Sequence, residues 1–547
     1  MSKKILFREN AQEKIMSGVK QLSDVVATTM GPRGKNVILG KFVGAPVITK
    51  DGVSVAREVV LKDEHEETAC QLVKEAAGRT ADIAGDGTTT ATVLTHEIFS
   101  NGIELINNGL SPIHFRDAIN WGCEEICKNI DSVKKFVNGI EDLTSIASIS
   151  ANNDLYLGSK IAEAFEYAGL DGTVAAEASP GIHTTVKKMS GIEMKNGYIT
   201  PAFLTSPNQK DIVFENCRIL LLDREMTHFS DCFELFNKLH ESSTPILVLA
   251  KDIKQEALAT LVANNKLGKL KVVGVKLPSK FYESDWMDNL SIMVGGTVAS
   301  EANGRPLSSI TVSDLGFARK VMVNKYETKI IDGNSDTERI EAKIYAYTHD
   351  SQSVIGDKHR LELNKKSAFL KSKAAVVSVG YSTELELREK GDRVEDSLSA
   401  TRAAIEQGIV PGAGMTLIRA SRMIDLEKVK PEWRSTIDML KKSCYRPARQ
   451  ILLNADLDPE SIIQKSLEKE DIFWGYNAAN NKFCNLYDSG VLDPAKVTKT
   501  ALSNACSISL LLINTAAMVV ENRQDESGWQ PPAGWRPPSD RNLNHKY

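Results

Sequence analysis

Apolar positions in the first 130 residues recur at helical spacing. In EHEETACQLVKEAAGRTADIAG, Ala69, Leu72, Val73, Ala76 and Ala77 fall at i, i+3, i+4, i+7 and i+8, the stripe of a helix with one buried face. The stripe stops at Gly85, and a second helix is predicted to begin among the following threonines, with Val93, Leu94 and Ile98 as its apolar positions. GDGTTT (85–90) therefore reads as a loop running into a helix N-terminus. Between about 190 and 375 the texture changes to short β-branched runs alternating with helices, RILLLD (218–223), PILVLAKD (245–252) and KVVGVKL (271–277). That pattern predicts an α/β unit with a parallel sheet. Helical patterning returns from about 390, in VEDSLSATRAAIEQG and TALSNACSISLLLINTAAMVV. Helical ends flanking an α/β middle predict a discontinuous domain whose two halves meet in space.

Composition narrows the function classes. A chain of 547 residues exceeds one compact core, and its hydrophobic (42%) and charged (25%) fractions are those of a globular protein. With 67 basic against 71 acidic residues the net charge is -4, which supplies no basic field for nucleic acid. The N-terminal run Ile5–Phe7 is too short for a signal-peptide core, and SISLLLINTAAMVV (507–520) falls short of the roughly 20 residues that span a bilayer. Eight scattered cysteines with no CxxC pair fit a reducing compartment, and Cys123 and Cys127, spaced i, i+4, read as idle thiols rather than metal ligands. The expectation from these features is a cytoplasmic protein in a reducing cytosol. The last 26 residues (522–547), with four prolines and the paired GWQPPA and GWRPPS, read as a disordered tail.

The chemistry centres on GDGTTT, where an aspartate stands inside what looks like a phosphate cradle. GPRGKN (31–36) is no P-loop, because its first glycine lies three residues before the second rather than five. The dinucleotide fingerprint fails at Thr90, which occupies its last glycine position. Amides at the start of the second helix can receive phosphate oxygens, aided by the helix dipole. Asp86 is tolerable there if a divalent cation bridges it to those oxygens, and hard oxygen ligands favour Mg2+. Alone, the stretch also reads as a polar turn between helices. Lys50-Asp51-Gly52 likewise reads as a β-turn, and Asp396, off the stripe Val394, Leu398, Thr401 and Ile405, as a solvated acid.

Seven motifs in order, TTMGPRGKN (28–36), ITKDGVSVARE (48–58), AGDGTTTATV (84–93), RVEDSLSATRAA (393–404), VPGAGMTLI (410–418), GYNAA (475–479) and VLDPAKVT (491–498), resemble the group I chaperonins of the GroEL/Hsp60 family over residues 1 to about 520. The resemblance implies a multidomain, ring-forming chaperonin fold: an all-α equatorial ATPase domain (1–132 and 407–521), a small α/β intermediate domain (133–190 and 375–406) and an α/β apical domain (191–374). It assigns Thr29, Met30, Gly31 and Pro32 to the nucleotide, Asp86 to Mg2+, and Gly87, Thr88, Thr89 and Thr90 to the phosphates. Thr29 and Lys50 would offer backbone oxygens to the nucleotide and to K+, while Asp51 and Asp396 would orient and deprotonate the attacking water. Ala413, Asn477, Ala478, Ala479 and Asp493 would surround base and ribose. Tyr198, Ala202, Phe203, Phe233, Phe236, Leu258, Val262, Ala263 and Asn264 would form an apical groove for non-native polypeptides and a lid co-chaperonin, between helices at 229–240 and 255–264.

The implied function is ATP-dependent folding in the cavity of a homo-oligomeric ring, of seven subunits and single or double. Two alternatives stand beside it: a ring-shaped binding platform without folding-chamber activity, and a soluble small-molecule ATPase or kinase. The chain departs from the family at Ala413, the middle of a glycine triplet, and at Ser372-Lys373, where a glycine pair forms a hinge with the counterpart of Gly191. Asn196 stands for an arginine, and Phe233 and Phe236 for smaller aliphatic residues.

Overall fold

A computed structural model describes residues 3–40, 46–151, 154–169, 172–206, 209, 211–301, 304–353 and 357–521; the tail expected to be disordered (522–547) lies outside them. The chain divides into two compact units, one of Met1–Lys134, Val410–Ser489 and Ala495–Tyr547, the other of Lys135–Ile409 and Gly490–Pro494.

The first unit is helical. Helices Arg8–Ala27, Glu64–Ala84, Thr88–Asn107, Pro112–Val133 and Ala495–Ile513 enclose a core that includes Val19, Val73, Leu94, Phe115 and Leu502. Local chemistry sets their ends. The Asp63 carboxylate accepts from the amides of His65 and Glu66 to start Glu64–Ala84, and Gly85, left-handed at φ 78°, stops it. The predicted stripe is buried except at Leu72, which is 43% exposed. At about 100° per residue the buried face centres on Ala69, Val73, Ala76 and Thr80, and Leu72 falls at its rim. Strand Lys3–Phe7 pairs antiparallel with Ala517–Glu521, joining the two ends of the unit.

The second unit is built on a nine-stranded sheet. Ile212–Leu222, Ile246–Ala250 and Val272–Lys276 run parallel, and the run ILVLA is buried throughout, as a strand covered on both faces requires. The expected parallel sheet is nevertheless mixed. Gly316–Val323 pairs antiparallel with Ile212–Leu222 and also with Thr328–Gly333, to which a tight turn joins it: the Asn324 Oδ1 accepts from the amides of Tyr326 and Glu327, each at 2.8 Å. Three further strands continue the sheet, Thr185–Met194, Lys373–Tyr381 and Thr173–Pro180. A second core (Leu143, Ile161, Phe165, Val377, Val394) lies between this edge and helices Gly139–Ser150, Leu155–Ala168 and Glu384–Gln407. Among the described residues no helix is long and apolar enough to cross a membrane, and the eight cysteines are free thiols.

Strand Thr185–Met194 changes partner at Gly191: Ser190 faces Lys373 and Gly191 faces Ile331. A β-carbon on Gly191 would lie 2.3 Å from that of Ala374, so the crossing needs glycine for close approach. The Ser372 hydroxyl, where the family pattern puts glycine, donates toward the carbonyls of Gly191 (2.9 Å) and Phe369 (2.7 Å) and braces the crossing. Gly191→Ala is expected to cost about 1–3 kcal/mol, the usual price of overpacking. Scanning calorimetry should show a lower melting temperature for this unit; an unchanged one would mean the strands part without strain.

Candidate functional site

Three loops of the first unit converge at Gly52. A β-carbon placed there would lie 2.0 Å from Thr89 Oγ1 and 3.5 Å from Thr29 Oγ1, which puts the 28–31 turn, the 50–52 turn and the start of helix Thr88–Asn107 in mutual contact. Each loop follows from its residues. Helix Arg8–Ala27 unwinds through Thr28–Met30, whose amides still bond back to Val25, Val26 and Ala27. Gly31 then takes the left-handed region (φ 85°), its α-carbon close against Ile451. Hairpin Val37–Leu39 and Val47–Thr49 delivers Asp51, whose carboxylate accepts from the amides of Val53 (3.1 Å) and Ser54 (2.8 Å) and caps helix Gly52–Glu58. Asp51 thus acts as a helix cap rather than as a bare turn residue.

Gly85 and Gly87 are both left-handed, and the chain between them carries Asp86. Helix Thr88–Asn107 starts with no side chain capping its amides, so the positive end of its dipole is left for an anion. Gly87 permits this by close packing: a β-carbon there would lie 2.8 Å from Val497 of helix Ala495–Ile513. Loss of solvation holds the half-buried Asp86 carboxyl above the ordinary aspartate value; the Gly87 amide opposes this, and the Asp51 charge adds to it. Two neighbouring carboxylates beside an uncapped helix N-terminus form a donor set that suits Mg2+ bridging to phosphate. Glycine at 34 lets the chain pass close to the Thr29 carbonyl, where a β-carbon would fall 2.1 Å from its oxygen.

Ala413 has φ 55°, so alanine occupies the left-handed conformation there, and Gly414 follows at φ 71° to open helix Met415–Arg422. Strand Trp474–Asn477 approaches the same helix, Gly475 lying next to Met415. The Asn477 side chain accepts from the Ala479 amide (2.9 Å) in a turn that leaves Ala478 buried. Lys50 reaches the Pro32 carbonyl (3.3 Å). Asp396, half-buried on helix Glu384–Gln407, and Asp493, on strand Leu492–Pro494, belong to the second unit, where that strand packs against that helix.

Two supports have no signal in the sequence. Helix Arg446–Asn454 buttresses both glycine loops: Ile451 lies against Gly31, Ala448 against Gly414, and the Asn454 amide donates to the carbonyls of Ala27 and Met30, both at 2.8 Å. Arg419 donates to the carbonyls of Ser466, Lys469 and Trp474 and fixes the strand that ends at Asn477.

In the second unit, Phe233 stands 59% exposed at the start of helix Phe233–Glu241, its ring edge-on to Phe229 at 6.4 Å. Leu258, Val262 and Asn264 on helix Gln255–Lys266, together with Tyr198 and Ala202, are half-buried, and Ala263 is exposed. Phe203 and Phe236 are not on the surface. Phe203 is buried with its backbone carbonyl held by Asn265 (2.7 Å), and Phe236 is buried with its ring stacked on Phe229 at 5.1 Å. Both lie on the core side of their elements and support the surface from beneath.

A model of the TCP-1/cpn60 chaperonin family matches residues 22–523. Among solved structures, the chaperonin gp146 from the bacteriophage EL 2 (Pseudomonas aeruginosa), crystallised in the presence of ATP-BeFx, shares the fold at a TM-score of 0.69. It is 21% identical over 95% of this chain and 99% of that one.

Ala413→Gly should relieve the left-handed strain and raise stability by about 1 kcal/mol. Denaturant unfolding of the full chain measures it, and a loss of stability would show that the alanine methyl contributes packing that outweighs the strain.

Proposed function

The chain belongs to the TCP-1/cpn60 chaperonin family, and on that premise we propose that it binds and hydrolyses Mg-ATP at the Gly52–Thr89 junction, using the cycle to capture non-native polypeptides and fold them in a seven-membered homo-oligomeric ring. One observation carries the reading: an uncapped helix N-terminus stands beside two interacting carboxylates, at a point where glycine replaces any side chain that would fill the space. The amides of Thr88, Thr89 and Thr90 and the hydroxyls of Thr89 and Thr90 would receive phosphate oxygens. Asp86 would hold Mg2+, and the Thr29 and Lys50 carbonyls would hold K+. Bound Mg2+ would neutralise charge developing on the transferred phosphoryl group. Asp51, held by two amides of its own helix, would keep a fixed position as acceptor for the attacking water, and the family resemblance gives Asp396 the same task. Thr29–Pro32, Ala413, Asn477–Ala479 and Asp493 would contact the remainder of the nucleotide.

Phe233, with Tyr198, Leu258, Val262 and Ala263 around it, would offer apolar surface to unfolded chains and to a lid partner. Such surface needs no sequence in common among its clients, because exposed apolar area is what distinguishes unfolded chains. A second reading, a ring-shaped binding platform, is favoured by the Ser372 brace, which stiffens the crossing where the family pattern has a glycine pair.

Light scattering with and without Mg-ATP tests the assembly: a mass near seven or fourteen times 60.0 kDa supports the proposal, and a monomer or dimer in both conditions rejects it. Refolding assays on the ring then separate the chamber from the platform. Asp396→Ala should retain ATP binding while turnover falls at least about tenfold, the lower side of a positioned base's usual worth; equal turnover would remove Asp396 from the mechanism. Phe233→Ser should weaken capture of a denatured protein and leave ATPase activity unchanged, whereas undiminished capture would move the client surface elsewhere.

A further inference from the structure

Helices Met415–Arg422, Arg434–Ser443 and Arg446–Asn454 of the first unit border an open surface pocket of about 400 Å³, lined by Arg422, Asp438, Lys441, Lys442, Tyr445 and Arg449. Four cationic side chains face one carboxylate in a chain whose net charge is -4, so the cavity is a local reversal of the protein's field. Lys442 is offset by Asp438 (2.8 Å) and Arg449 by Glu460 (2.7 Å). Among the described residues neither Arg422 nor Lys441 has a carboxylate within ion-pair distance; Lys441 donates instead to the Ile424 carbonyl (2.8 Å). Tyr445 organises the wall. Its hydroxyl meets the Arg422 guanidinium at 3.5 Å and its ring lies 5.6 Å beneath that of Arg449, so two planar forks are braced by one aromatic residue. Burial lowers the affinity of Lys441 for its proton, and Arg422 lowers it further against the pull of Asp438 and Asp425, a mutual repulsion that an anion would relieve.

We propose that this cavity binds a small polyanion carrying two or more phosphate groups. Its volume falls within the range of small-ligand pockets, about 300–1,000 Å³. Braced guanidinium groups match phosphate oxygens two at a time, and the neighbouring ammonium groups add charge without fixed geometry. A concave site favours a compact anion over the broad acidic face of a second copy of the chain. The inference does not rest on ATP hydrolysis, because the lining residues are separate from the Gly52–Thr89 junction.

Tripolyphosphate, titrated calorimetrically into the full chain with excess ADP present, is the probe. Wild type should bind about one equivalent, with affinity falling as salt rises. Arg422→Glu and Lys441→Glu, each checked for a wild-type circular dichroism spectrum, should weaken binding at least about tenfold, while Lys128→Glu, a charge reversal on an exposed helix face, should not. Equal loss in all three variants would reduce the effect to general surface charge and overturn the site, as would binding that neither cavity variant changes. Absence of binding by wild type would also overturn it, and a change of solution mass in the cavity variants would then assign the cationic surface to contact with a second copy.

Discussion

A missing β-carbon at Gly52 is the constraint on which the arrangement of the candidate site depends. The residue begins the helix that Asp51 caps, and its α-carbon lies against the Thr89 hydroxyl, on the first turn of helix Thr88–Asn107. Any side chain there would separate the carboxylate of one helix start from the amides of the other. Close approach matters because both partners act over short range: the helix dipole fades within its first turn, and the mutual influence of Asp51 and Asp86 depends on proximity. Gly87 plays the same part on the opposite side, where Val497 and Thr80 leave no room for a side chain.

Local chemistry was legible and distant support was not. Glycines at 85 and 87 followed by threonines fix a loop and a helix start within six residues, and the structure begins that helix at Thr88. The fold class was legible for a related reason, since helical and β-branched textures occupy separate stretches long enough to show their periods. Leu72 was misread because a stripe drawn from apolar residues alone omits Cys70 and Thr80, which take the buried face beside Ala69 and Val73. The burial of Phe203 and Phe236 was not legible, because an aromatic residue suits a core and a groove equally well until packing is known. The role of Asn454 had no sequence signal at all: its amide bonds to carbonyls 424 and 427 residues away, and no spacing rule reaches that far.

Those distant supports share one design, a side-chain donor satisfying loop carbonyls that no ladder can reach. Arg419 gathers three carbonyls around the base of strand Trp474–Asn477, and Asn454 gathers two below the 28–31 turn. Unpaired, such carbonyls would cost about 1–3 kcal/mol each where water is excluded, so losing one donor loosens a whole loop. Helix Arg446–Asn454 adds apolar contact at Gly31 and Gly414, which couples two glycine turns to one rigid element.

The second unit connects its own parts in a comparable way. Arg402, on the helix that carries Asp396, pairs with Glu193 just beyond the Gly191 crossing and lies 4.0 Å from Glu327, while Lys195 reaches Glu406 of the same helix at 3.8 Å. The far end of strand Thr185–Met194 is therefore tied by charge to helix Glu384–Gln407, and its near end is hydrogen-bonded to Lys373–Tyr381. A bend at Gly191 must either stretch the partly buried Arg402–Glu193 pair or carry the helix with it. That pair is costly to break, since separation leaves a partly buried charge uncompensated, whereas Lys195 is exposed and its contact adds little. The second course is thus the easier one, and it links the orientation of strand Thr185–Met194 to the placement of Asp396.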